Sequence, residues 1–145
     1  MKLTYFGTAA AEGWPALFCN CPSCVSARKL GGKNIRTRSQ ALVNEDLLID
    51  FPADTYMHVL FYGLDLNKVE HLLITHAHED HLYAEDLANR QEGYVPKEAR
   101  PDFVLNVYGS ENVAGEYERV HANHYNGSLP SVVAMHQIRA YEEVK

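Results

Sequence analysis

The densest chemistry in the chain lies in Thr75-His76-Ala77-His78-Glu79-Asp80-His81, where three histidines and two acids fall within six consecutive residues. The apolar run Leu72-Leu73-Ile74 precedes it and reads as a buried strand, which puts the cluster in a loop at the strand's end. His76 and His78, two apart in extended backbone, can converge on one cation through their imidazoles. Asp80 and His81 can turn toward a second as the chain leaves the loop. Neutral imidazoles and a carboxylate suit zinc, manganese or iron, and two neighbouring ions can share a hydroxide as nucleophile. One histidine in such a turn would read as a surface residue; the whole constellation reads as a ligand set.

A second cluster is Cys19-Asn20-Cys21-Pro22-Ser23-Cys24, which holds all three cysteines of the chain. An odd number within six positions does not make a disulfide framework. In a reducing compartment, closely spaced thiolates repel one another unless a cation holds them, so Cys19, Cys21 and Cys24 read as soft-metal ligands, zinc first.

The elements that must carry these clusters alternate along the chain. Lys2 to Phe6 alternates like a strand, and a small-residue loop from Gly7 to Pro15 leads to the cysteines. Ser23 is placed to cap a helix running to Leu30. Gln40 to Val43 and Leu47 to Asp50 read as a hairpin across Asn44-Glu45-Asp46. Ala53 to Tyr62 reads as a helix ended by Gly63, and Val69 to Thr75 as the strand before the histidines. A helix is expected over Leu82 to Arg90, a strand over Phe103 to Tyr108, a helix from Ser110 through Val120, and a last strand over Ser131 to Ile138.

The 145 residues suit one domain, and 46% hydrophobic with 22% charged residues is a globular composition. A net charge of −6 disfavours nucleic acid as the default partner. No stretch approaches the roughly 20 apolar residues of a membrane span, so the expectation is a soluble, cytoplasmic protein with no membrane partner.

His76, His78, Asp80 and His81 together spell His-x-His-x-Asp-His, the signature of the metallo-β-lactamase superfamily, and the chain resembles that family over essentially its whole length. The N-terminal strand, the small-residue loop, the hairpin ending in Asp50 and the apolar strand all occur in the family's order. The resemblance implies an α/β fold, the N-terminal half of an αββα sandwich, as a single incomplete domain. It also implies that Asp50 lies behind the metal site and orients a ligand histidine, although Asp50-Phe51-Pro52 stands where many relatives have Asp-x-Gly. The Gly-Thr loop, the Gly13-Trp14-Pro15 turn, the cysteine cluster and the Arg-Ser step before the hairpin look like the branch of the phosphoribosyl cyclic phosphate phosphodiesterases. In that branch the cysteines hold a structural zinc. The pyrroloquinoline quinone biosynthesis protein B has a similar cysteine run without the full histidine motif. The tRNA 3′-end endonucleases share the histidine motif, but the acidic balance and the lack of a basic arm count against a nuclease.

The activity implied is metal-assisted hydrolysis of a small phosphodiester of the cyclic-phosphate type. Its cofactors would be two active-site divalent ions (zinc, manganese or iron) plus one structural zinc. Asp80 would ligate one ion and hydrogen-bond the attacking hydroxide, and Arg36 and Arg38 are the candidate contacts for substrate phosphate. A non-catalytic metal-binding domain or inactive fragment is the competing reading. His121, His124 and His136 fall in no ligand motif and read as structural or exposed. A half-sandwich would leave an apolar face, which points to a homodimer.

Overall fold

The computed structural model describes residues 1–91, 93–124 and 132–143, with side chains at 123 and 124 left aside. Six strands form one sheet in the order of the sequence: β1 (Leu3–Gly7), β2 (Gln40–Val43), β3 (Leu47–Ile49), β4 (His71–Leu73), β5 (Leu105–Gly109) and β6 (Val133–Gln137). The first three pair antiparallel as a meander, and β3 to β6 pair parallel through crossovers. Side chains alternate across the pleat, so Leu48, Leu72 and Val107, in register on adjacent strands, face one side and are almost wholly buried. Onto them packs helix α3 (Glu111–His124) through Val113, Tyr117 and Val120, a spacing of four and three that makes one helical stripe. The opposite face carries Leu47, Ile49, Leu73 and Tyr108, which are only half-buried.

Most boundaries follow local chemistry. Helix α1 (Pro22–Leu30) starts one residue ahead of the expected Ser23 cap, because Pro22 supplies a fixed φ and lacks the N–H that the first turn would leave unpaired; Cys21 becomes the N-cap. Helix α2 (Thr55–Tyr62) starts two residues later than expected and ends as expected, with Gly63 in the left-handed region at φ 75 and its N–H on the His58 carbonyl. The Ser110 carbonyl accepts the Ala114 N–H, which opens α3 at the expected residue. Strand β3 stops at Ile49 because Asp50 turns to φ 63. The expected Ser131 lies outside the described residues, and β6 begins at Val133.

One expectation is corrected. Leu82 to Arg90 is not a regular helix: Leu82 bridges to Phe51, Tyr83 leaves the helical region at φ −103 and ψ 82, and 3₁₀ turns follow over Ala84–Arg90. Phe51 takes both bonds of the bridge, its N–H to the His81 carbonyl (2.7 Å) and its carbonyl accepting the Tyr83 N–H (2.7 Å). Residues held that way cannot form a first helical turn.

A close backbone approach shapes the site's rim. A Cβ on Gly7 would lie 1.8 Å from the Arg38 carbonyl oxygen, so only glycine lets β1 lie against the segment carrying Arg38. Among the described residues, no helix is long and apolar enough to cross a membrane.

Candidate metal centre

The end of β4 delivers the histidine loop to the edge of a cleft of about 680 Å³. Two N–H groups, those of His81 and Leu82, donate to the His78 carbonyl at 2.9 and 2.8 Å. That tight turn folds the loop back on itself and brings one ligand atom each from His76, Asp80 and His81 within 4.8 Å of one another. The His76 and His81 ring centres are 4.1 Å apart. His78 stands outside this set; its ring meets that of His76 edge-on at 4.7 Å and lines the cleft.

Asp50 lies directly behind the set and is almost wholly buried. Its Oδ1 accepts the Thr75 N–H and the Thr75 hydroxyl, both at 2.8 Å, and its Oδ2 accepts His81 Nδ1–H at 2.7 Å. A carboxylate only accepts, so His81 carries a proton on Nδ1 and turns its Nε2 to the cleft. The single Thr75 proton is committed to Asp50. Its oxygen, 3.2 Å from His76 Nδ1, therefore accepts, and His76 likewise presents Nε2. Meanwhile His81 Nε2 faces Asp80 Oδ2 at 3.3 Å. A ring nitrogen and a carboxylate oxygen that close share a positive charge, a proton on Nε2 or a metal ion, and two imidazole nitrogens with a carboxylate make a donor set that fits zinc or manganese.

The thiols of Cys19, Cys21 and Cys24 also come within 4.8 Å of one another. All three are free, Cys24 buried and Cys21 exposed at the N-terminus of α1. The Cys24 backbone N–H, then the thiols of Cys19 and Cys24, pull the Cys21 pKa down to about 7. The Cys24 thiol shifts upward: the Ala16 backbone contact lowers it, but burial and the two neighbouring thiols outweigh that contact. Three thiols so coupled lose their protons fully only to a cation, which is the donor chemistry of zinc. Arg28 fixes the loop by donating to the Cys19 carbonyl and to Asn20 Oδ1.

The two arginines part company. Arg38 lines the cleft, with its Nε on the Ala11 carbonyl (3.0 Å) and its Nη1 on Asp54 Oδ1 (3.2 Å). Arg36 is exposed outside the cleft lining, and its backbone pairs with Trp14. His121 is fully buried with its ring 4.1 Å from that of Tyr117, and His136 is exposed, 2.9 Å from Asn106 Oδ1. The His124 side chain lies outside the described set. Sequence reasoning missed Thr75, Asp54 and the α3 pair Glu116 and Arg119 that closes the far side of the cleft. It also missed Gln40 and His58, although a glutamine opening an apolar strand and a histidine inside Tyr56-Met57-His58-Val59-Leu60 were visible signals.

No protein-family model matches the chain. Ribonuclease Z of Staphylococcus epidermidis is 23% identical over 141 residues, which cover 97% of this chain and 42% of that protein. Ribonuclease Z of Staphylococcus haemolyticus is 25% identical over 126 residues, covering 87% and 37%. Among solved structures, a diphosphatase of the PhnP family superposes with a TM-score of 0.73 at 22% identity, over 99% of this chain and 52% of that one. Zinc-bound PqqB from Methylobacterium extorquens gives 0.71 at 21% identity, over 97% and 46%. The short form of human tRNase Z gives 0.60 at 17%, over 94% and 45%. The chain therefore carries the metallo-β-lactamase fold, and it spans about half the length of the relatives it matches.

Proposed function

We propose that the chain supplies the histidine-motif half of a metal-dependent hydrolase that acts on a small phosphodiester of the cyclic-phosphate type. The observation that carries this reading is the convergence of His76, Asp80 and His81 on one point at the cleft, with His81 Nε2 facing Asp80 Oδ2 at 3.3 Å. His76, His78, Asp80 and His81 would hold divalent ions, and Cys19, Cys21 and Cys24 a structural zinc. When bound, the active-site ions supply Lewis acidity toward the phosphoryl oxygens and lower the pKa of water. The chain's residues do the rest. Asp50 keeps the His81 proton on Nδ1, Asp80 accepts a hydrogen bond from the attacking water, and Arg38, at the cleft wall, offers its remaining N–H groups to a phosphate oxygen. Free thiols fit a reducing, cytoplasmic setting.

The names of two matched proteins, a PhnP-family diphosphatase and ribonuclease Z, both concern phosphorus–oxygen bonds, which supports the reaction class. The ribonuclease Z matches favour a second reading, cleavage of RNA. The net charge of −6, and the acids Glu79 and Glu116 in the cleft wall, favour the small substrate. The test is turnover of bis-p-nitrophenyl phosphate, a cyclic phosphodiester and a precursor tRNA with added Zn²⁺ or Mn²⁺. Hydrolysis of the small esters that disappears in His78→Ala supports the proposal. Cleavage of the tRNA alone supports the nuclease, and metal binding without turnover of any substrate supports a non-catalytic metal-binding domain.

A further inference from the structure

Behind the turn that carries Asp50 sits a closed polar network inside an apolar setting. Gln40, Thr55 and His58 are each at most 2% exposed. Gln40 Nε2 donates to the Asp50 carbonyl and to Thr55 Oγ1, both at 2.9 Å, and Thr55 passes its own proton to the Pro52 carbonyl at 2.6 Å. Gln40 Oε1 accepts His58 Nδ1–H at 2.6 Å, and His58 Nε2 accepts the Thr37 hydroxyl at 2.7 Å. The amide can point only this way, because the reverse orientation would set its oxygen against the Asp50 carbonyl oxygen. Burial holds the His58 pKa below its ordinary value, with the Asp54 carboxylate pulling the other way, so the imidazole is neutral and has one proton to give.

The Asp50 backbone is thereby pinned from both sides. Its N–H donates to the Leu73 carbonyl at 2.9 Å, and its carbonyl is taken by Gln40. Among the described residues, Asp50 is one of three non-glycine residues at positive φ, a conformation that persists when its surroundings over-determine it. The same loop, five residues long from Asp50 to Asp54, ends in the carboxylate that holds both the Arg38 N–H (2.7 Å) and its guanidinium (3.2 Å).

We propose that Gln40, oriented by His58, is a positioning residue for the metal centre: its amide locks the left-handed Asp50 turn, which aims the Asp50 carboxylate at His81 and fixes which nitrogen of His81 faces the metal. This rests on reading the histidine cluster as metal ligands, but its first readout needs no metal. A network that served only the fold would cost stability when removed and would leave the His81 proton where it is.

The experiment uses the whole chain with ¹⁵N-labelled histidine, at a pH of about 8.5, roughly two units above an ordinary imidazole pKa. Nitrogen shifts then report the tautomer of each ring. In the unaltered chain His81 is the Nδ1–H form. In Gln40→Met that form gives way to a mixture, and Zn²⁺ affinity at the histidine site falls by about 10- to 100-fold, the usual effect of losing a residue behind a ligand. Val107→Ala, a core cavity on β5, two strands away from β3 and the Asp50 turn, is the control: it lowers Tm and leaves both tautomer and affinity unchanged. If Gln40→Met lowers Tm like the control and keeps the His81 tautomer and the affinity, the proposal is overturned. If Gln40→Met does not fold, exchange of the Gln40 side-chain amide protons in the unaltered chain decides. Slow exchange of both supports the lock, and fast exchange overturns it. Zinc binding undiminished in His76→Ala and His81→Ala would instead sink the metal-centre reading, with the tautomer comparison still deciding on Gln40.

Discussion

The two ligand clusters of this chain are held in opposite ways. The histidine set hangs on a loop whose every supporting group is backed by another: His81 on Asp50, Asp50 on Thr75 and Gln40, Gln40 on His58. The cysteine set rests on a helix N-terminus and on Arg28, an exposed side chain gripping the loop from outside. A ligand that must keep one tautomer needs a partner at its second nitrogen. A thiolate has no tautomer to keep and needs only electrostatic help with losing its proton. The difference teaches where substitution should hurt: far behind the ligands at the histidines, and scarcely beyond the ligands at the cysteines.

The largest effect is expected at the ligands themselves. His81→Ala should abolish metal binding by the histidine set and leave the ion held by the cysteines, read in elemental analysis as loss of all but one metal per chain. Asp50→Asn should come next. The asparagine oxygen keeps the two Thr75 donors, so its NH₂ faces His81 Nδ1 and forces the proton to Nε2, the atom that should bind metal. Zinc affinity should drop by about 10- to 100-fold with Tm of the metal-free chain little changed. An affinity equal to that of the unaltered chain would break the comparison, because a carboxylate that does not govern the tautomer is not a support.

Cys24→Ser tests the other cluster by stability. A hydroxyl costs more than a thiol to take out of water, and at a position 1% exposed the exchange should cost about 1 kcal/mol even with the Ala16 backbone contact kept. Thermal unfolding of the metal-free chain reads this directly. Cys21→Ser, at an exposed site, should leave the metal-free Tm unchanged while zinc binding falls.

How much of this was legible follows the same division. Ligand types and spacing are written in the sequence, so both clusters were readable as donor sets, and the apolar runs Leu47-Leu48-Ile49 and Leu72-Leu73-Ile74 marked the strands that lead to Asp50 and to the histidines. Gly63 ends α2 by backbone chemistry that acts locally, as expected, whereas Pro22 starts α1 ahead of the expected Ser23 cap. What was not legible depends on groups far apart in the chain. Leu82 and Tyr83 have an acceptable helical pattern, and the bridge to Phe51, some thirty residues upstream, keeps them out of a helix. Gln40 and His58 meet across a strand and a helix, and no local propensity announces that pairing. Arg36 and Arg38 look alike in sequence; the contact of Arg38 with Asp54 and Ala11 decides which one faces the cleft.

Thiol chemistry offers a finer contrast within the cysteine set. With its pKa lowered to about 7, Cys21 is half thiolate at neutral pH, whereas Cys24 titrates above its ordinary value. Iodoacetamide at pH 7 should therefore label Cys21 ahead of Cys24, with the Cys21 rate rising through pH 7 and levelling above it; added Zn²⁺ should protect both. Peptide mass spectrometry over time measures the order. Labelling of Cys24 first would mean that the helix N-terminus does not favour the Cys21 thiolate, and the cysteine site would lose its one electrostatic support.

The smallest effect should come from Arg28→Ala. Its guanidinium bridges the Cys19 carbonyl and Asn20 Oδ1, but it does so in solvent, where a hydrogen bond to protein replaces one to water at little gain. Zinc affinity at the cysteines should fall only a few-fold, about 0.5 kcal/mol by the measure of exposed pairs. That is well short of the effect expected for Gln40→Met at the histidines, although Arg28 sits nearer to its ligands in sequence than Gln40 does to His81. Competition with a chromophoric zinc chelator resolves the two values on one scale. If Arg28→Ala weakened its site as much as Gln40→Met weakens the other, the cysteine loop would depend on outer support after all. The ligand's need for a fixed tautomer would then no longer explain why one site carries a hydrogen-bonded network and the other does not.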